Sequence, residues 1–200
     1  MKLLLFVLFF ALTALLPASE TKWKADITHS KALFTVSHMV ISEVTGRFTD
    51  FDVSLVQNNS DFSGSKVSVT FKPASVNTDD ESRDKHLRSE DFFYTEKYPE
   101  ATFVSTAFDK TGDNIFTITG DLTLRGITKS VTLNAKYNGS MKDPWGNEKA
   151  GFKVTGTIKR TDFGLKWNKA VEAGGLLVGE NVDLTFQIEL AQEKPEDVKK

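Results

Sequence analysis

The stretch His29–Met39 reads HSKALFTVSHM. Taking every second residue places Ala32, Phe34, Val36 and then His38 on one side. A repeat of two is the signature of a β-strand with one dry face. An imidazole closing a run of three apolar side chains is an unusual end for such a face. It raises three readings of His38: a ligand contact, a catalyst, or a polar stopper.

The same period runs through the rest of the chain. Phe51, Val53 and Leu55 alternate with Asp52 and Ser54, and Val67, Val69 and Phe71 alternate with Ser68 and Thr70. Phe116, Ile118, Leu122 and Leu124 share one parity, interrupted only by Gly120. Val131, Leu133, Ala135 and Tyr137 form another set, as do Phe152, Val154 and Ile158, and then Val182 to Leu190. Turn-formers punctuate these runs in QNNSDFSG, KTGDN, LRGIT and YNGSMKDPWGN. The pattern predicts an all-β fold, an extended antiparallel meander of about eight strands closed into a barrel. An eight-stranded barrel has room inside for packed side chains or for one slender ligand. Ala32, Gly120, Ala135 and Gly156 on the dry faces point to space that larger residues would fill. Phe48 has the wrong parity for the Phe51–Leu55 face, which predicts a bulge near Gly46.

One segment departs from the strand period. NTDDESRDKHLRSEDFF places Thr78 three residues before Glu81, a capping box, and predicts a short inserted helix from Asp79 to about Arg88. Leu87 is its only apolar anchor, so it is expected to lie on the surface.

The N-terminus MKLLLFVLFFALTALLPASE has one lysine, an apolar run from Leu3 to Leu16, and a small-residue exit at Ala18 and Ser19. That is the layout of a secretory signal peptide, and the run is shorter than the ~20 residues a spanning helix needs. The expectation is a periplasmic protein with no integral membrane segment after cleavage. There is no cysteine, which excludes disulfides and an N-terminal Cys lipid anchor, so the exported fold rests on its core alone. Charge is nearly balanced, 25 Lys and Arg against 27 Asp and Glu, and no basic block suggests a nucleic-acid partner.

Catalytic and metal signatures are sparse. His29, His38 and His86 lack zinc spacing, and no nucleophile elbow, P-loop or dinucleotide fingerprint is present. Asp79, Asp80 and Glu81 are better explained as first-turn acids of the helix than as cation ligands. No metal site is expected. Asn58 and Asn138 begin glycosylation-type triplets, but both read as turn residues.

Several stretches together resemble the YceI-like family of bacterial lipid- or polyisoprenoid-binding proteins. They are DITHS with Phe34, Val36 and His38; Gly46 and Phe48; ASVNT; RDKHLRSEDFF; Tyr98-Pro99 and Phe103; GDLTLRGIT; and RTDFGL. The resemblance covers about Trp23 to Leu190. It differs mildly in the few aromatics along Val67–Phe71. It implies a lipocalin-like barrel whose long apolar tunnel holds an isoprenoid or similar chain, and it does not imply an enzyme. The expected organisation is a signal peptide over 1–19, a YceI-like barrel domain over 20–191 and a polar tail over 192–200.

With such an interior, tail contacts are expected from Phe34, Val36, Leu122, Leu124, Phe152, Val154, Ile158, Leu184 and Phe186. Leu87, Phe92, Phe93, Phe103, Phe163 and Trp167 are expected at the rim and lid, and His38 at the polar mouth. The expected cargo is a polyisoprenoid, an isoprenoid quinone or a fatty-acid derivative, with no other cofactor. A membrane-protein donor or acceptor and a homodimer are both compatible with the resemblance. The rival readings are an enzyme acting on a lipid with His38 or His86 as base, and a packed structural barrel without ligand.

Overall fold

The structure, a computed structural model, describes residues 20–170 and 176–194; the proposed signal peptide and most of the polar tail lie outside them. The strands are β1 (Thr21–Ala25), β2 (Lys31–His38), β3 (Ser42–Phe48), β4 (Phe51–Gln57), β5 (Lys66–Phe71) and a two-residue β6 (Val76–Asn77). After helix α1 (Glu81–Arg88) come β7 (Ala101–Gly112), β8 (Ile115–Leu124), β9 (Ile127–Lys142), β10 (Glu148–Lys159) and β11 (Val178–Gln192).

Every pairing between these strands is antiparallel, and eight strands close a ring in the order β1-β4-β5-β7-β8-β9-β10-β11. The ring shuts where Trp23 to Ala25 of β1 face Gln192 to Leu190 of β11. The other half of β11 pairs with β2, as in Leu184 with Phe34 and Phe186 with Ala32. β1 and β2 are therefore two halves of one edge, separated by a 3₁₀ turn at Ile27–His29. β3 continues from β2 and borders β6, so the wall flares at this end and α1 follows directly after it.

The alternation sets the packing. Successive strands carry Phe116, Ala135, Val154, Phe186, Ala32 and Phe48 across from one another in a single layer. Large and small side chains alternate within it, so neighbouring rings fit beside small residues. The glycines on these faces do not leave the space expected of them. A Cβ on Gly120 would lie 2.5 Å from Phe103 Cζ and from the Val104 carbonyl oxygen, and Gly46 is covered by the Phe34 ring. Their role is to let neighbouring rings lie flat on the wall.

Three local expectations are corrected. Phe48 changes parity because the chain turns a corner at Thr49–Asp50 between β3 and β4; β2 and β3 pair in unbroken register through Gly46, without a bulge. The helix begins at Glu81 with Asp80 as its cap, whose carboxylate accepts from the Arg83 N–H at 2.9 Å. Thr78 instead donates its N–H and hydroxyl to buried Asp84, at 2.9 and 2.6 Å, pinning the helix to the end of β6. Asn138 lies inside β9, not in a turn, where the register slips opposite Gly151 and Phe152. A bulge accommodates the Asn-Gly pair there at Gly139 (φ 121°), and the strand runs on to Lys142.

At the end opposite α1, Trp23, Phe62, Phe108, Tyr137 and Phe152 close the barrel with ring centroids 5.1–6.5 Å apart. Just outside this plug, Lys149 Nζ lies 2.7 Å from Asp26 and 3.1 Å from Glu189. Its hydrogen bond, helped by Thr28 and His29, holds the Asp26 carboxyl well below the usual carboxylate range. A carboxyl depressed on folding stabilises above its ordinary range, and that contribution is lost as pH falls below ~4. Lys149→Met should lower the melting temperature at neutral pH and make its decline in acid shallower. An unchanged acid profile in thermal melts would contradict this.

Candidate functional site

Between the aromatic plug and α1 lies a cavity of about 200 Å³. Phe34, Val36, Val182, Leu184 and Phe186 line one wall, and Val154 and Ile158 of β10 continue it. Leu122, Leu124 and Phe103 of β8 and β7 face them, while Leu87, Phe92 and Phe93 cover the α1 side. Twelve of the sixteen expected contacts thus border one space. Phe103 faces the cavity from within β7, so it belongs to the wall and not to a rim.

Phe152 and Phe163 are placed elsewhere. Phe152 stacks in the aromatic plug against Phe62 and Tyr137. Phe163 is fully buried in the 3₁₀ turn after β10. Phe48, Phe51, Val53, Val67, Val69 and Phe71 of β3, β4 and β5 also face the cavity. Their alternation was plain, but nothing local distinguishes a cavity wall from a filled core.

A second chamber of about 350 Å³ adjoins the first and shares Phe34, Val36, Leu87, Phe92 and Val178 with it. Here the lining becomes polar: His38, Thr78, Asp80, Ser82, Arg83 and His86 join Trp167. His38 and Trp167 therefore stand at the mouth and not along the tube. The His38 ring makes no hydrogen bond among the described residues, so it has no structural partner of the kind a polar stopper needs. His86 is braced instead, with Nε2 2.8 Å from Asp91 and its ring edge-on to Phe92 and Trp167 at 5.0 and 4.8 Å. Arg83 is committed to Thr78, donating to its hydroxyl and its carbonyl at 2.8 Å each.

Among the described residues, one charged side chain borders the apolar cavity. Arg160, only 4% exposed, ends the β10 face that carries Val154 and Ile158. Its guanidinium donates to the carbonyls of Leu165, Trp167, Val178 and Gly179 at 2.5–3.2 Å. Burial works against its charge, and no carboxylate lies within salt-bridge distance among the described residues. Arg160 thus ties the Leu165–Trp167 segment and the start of β11 to the cavity wall. A polar residue continuing a dry face by period two was the signal, the same one that His38 gives.

Cations have little room here. Asp79 pairs with Arg47 at 2.8 Å and Asp80 caps α1, so the acidic triplet is dispersed. Among the described residues, Asp26, His29 and Glu189 are close enough to share an ion, but the Lys149 ammonium already sits against both carboxylates.

Ring closure, a plugged end and a dry interior define a lipocalin-like antiparallel β-barrel of eight strands. The chain belongs to the YceI-like family, whose domain matches residues 23–190. Protein YceI of Escherichia coli is 42% identical over 177 residues, covering 88% of this chain and 89% of that protein. The Campylobacter jejuni YceI crystal structure superimposes with a TM-score of 0.68 at 35% identity, over 79% of this chain and 90% of that one. A polyisoprenoid binding domain from Saccharophagus degradans has the same fold, with a TM-score of 0.61 at 19% identity, over 86% of this chain and 98% of that domain.

Proposed function

We propose that the protein is a non-enzymatic carrier that sequesters one long apolar chain, with the tail in the barrel and the head in the mouth chamber. The observation that carries this reading is the division of the lining. The tube is apolar except for Arg160, whose donors are committed to backbone, while the polar side chains gather beyond Phe34 and Leu87. A chain in such a tube gains about 0.8 kcal/mol per buried methylene, and a few polar groups at the opening set orientation. No hydroxyl is hydrogen-bonded to the imidazole ring of His38 or His86 among the described residues, which favours binding over nucleophilic catalysis. The polyisoprenoid named for the Saccharophagus degradans domain makes isoprenoids the first ligands to test.

Displacement of a fluorescent fatty probe by isoprenols of increasing length tests the reading. Affinity should climb with chain length until the tube is full, whereas length-independent competition would contradict it. His38→Gln should weaken head-bearing lipids by roughly 0.5–1.5 kcal/mol for a neutral head and ~1.5–3 for a charged one. Plain hydrocarbons should be unaffected, and equal losses for all ligands would remove His38 from head recognition. The leader-like N-terminus supports a periplasmic location; N-terminal sequencing of the exported protein should begin near Ser19 or Glu20, not at Met1.

A further inference from the structure

The β2–β3 connection, Met39-Val40-Ile41, is built against its own surroundings. Met39, Val40 and Ile41 are 40%, 72% and 81% exposed. Met39 and Val40 also hold φ of 53° and 66°, a region that suits Gly, Asn or Asp and strains a β-branched side chain. A hairpin needing only to turn in water would carry Asn-Gly here. The sequence instead places three apolar side chains in succession directly after His38 of the mouth chamber.

The position of this tip is what gives it meaning. His38, immediately before it, lines the mouth chamber. The Met39 N–H donates to the Leu177 carbonyl at 2.9 Å, and Leu177 also lines the mouth. Leu176, 42% exposed, stands beside it. The apolar rim is therefore continuous with the opening through which a cargo would pass. Among the described residues beside the rim, exposed Glu43 and Lys169 carry opposite signs, so this pair favours neither sign of partner. Four side chains on a narrow convex tip are also far short of the ~800 Å² per partner that a stable protein interface buries. A bilayer interface accepts such a tip, because apolar groups there need to sink only a few ångströms past the headgroups.

We infer that Met39–Ile41, with Leu176, is a membrane-docking tip that sets the barrel mouth-down on a lipid bilayer. It rests on the carrier reading, since docking at this end lets a lipid pass between bilayer and tube without crossing water. Insertion is apolar, so it should persist at high salt.

The test is co-flotation of the mature protein with vesicles of phosphatidylethanolamine and phosphatidylcholine. The wild type should float, and the Val40→Asn/Ile41→Ser double variant should bind about tenfold or more weakly, from the apolar area lost. Because Asn tolerates positive φ, the variant should melt at or above the wild-type temperature, which separates docking from folding. Trp145, 82% exposed at the tip of the β9–β10 hairpin beside the aromatic plug, is the control, and Trp145→Ser should float like wild type. Flotation of the double variant at wild-type strength, or its loss only in Trp145→Ser, would overturn the inference. Solvent extraction of the same samples separates the two ideas. A lipid-loaded protein that does not float overturns docking alone, while tip-dependent flotation of a lipid-free protein supports docking and overturns the carrier.

Discussion

Phe34→Asp should abolish retention of a chain lipid and lower the melting temperature sharply. Phe34 is 9% exposed, packs over Gly46 and against Phe48 with centroids 5.5 Å apart, and borders both tube and mouth chamber. It forms the threshold between them. A carboxylate there faces an apolar wall without a partner, and burying it costs several kcal/mol unless it takes up a proton. Loss of the ring also removes the cover over Gly46. Phe34→Leu keeps the site apolar and should retain lipid with a modest loss of stability. Extraction and thermal melts of both variants check this; bound lipid undiminished in Phe34→Asp would place Phe34 outside the tube.

Arg160→Met carries the second large effect. The substitution removes a buried charge and takes the guanidinium donors away from the carbonyls of Leu165, Trp167 and Gly179, while that of Val178 keeps the Asn168 side-chain amide at 2.7 Å. Each unsatisfied carbonyl costs ~1–3 kcal/mol, and part of that is recovered where water reaches them. A net destabilisation of about 3–5 kcal/mol is expected from the carbonyls left without a donor. Arg160→Lys should rescue it only in part, because one ammonium cannot reproduce the forked geometry of a guanidinium. Denaturant unfolding reads the loss directly. Wild-type stability in Arg160→Met would show that these hydrogen bonds contribute nothing net.

Much of the fold was legible because a half-dry strand writes its orientation into every second residue. Phe116, Ile118, Leu122 and Leu124 needed no partner to declare their face. What the chain did not show locally was which strands meet. β11 shares its edge between β1 and β2, 140 or more residues away, and no local pattern encodes that split. The corner at Thr49–Asp50 was read as a bulge because a two-residue break and a one-residue insertion both shift parity. The cavity was the least legible feature. Phe152 and Val154 lie two residues apart on one face, yet Phe152 belongs to the plug and Val154 to the tube. Depth along the barrel, not facing direction, decides between them, and depth follows from register. His38 was read as the polar end of a dry face, whereas Arg160, which ends another by the same period, was not singled out; their side-chain hydrogen bonds separate them. The Arg160 guanidinium is spent on four carbonyls, and the His38 ring has no partner among the described residues.

A carrier barrel of this kind should be purified with a chain lipid inside it. Native mass spectrometry of the protein, purified from its host without detergent and then extracted with organic solvent, decides this. The expected result is one long-chain lipid per protein, released on unfolding and absent from Phe34→Asp. Protein of bare polypeptide mass, with no lipid in the extract and no uptake when isoprenols are added, would contradict the account.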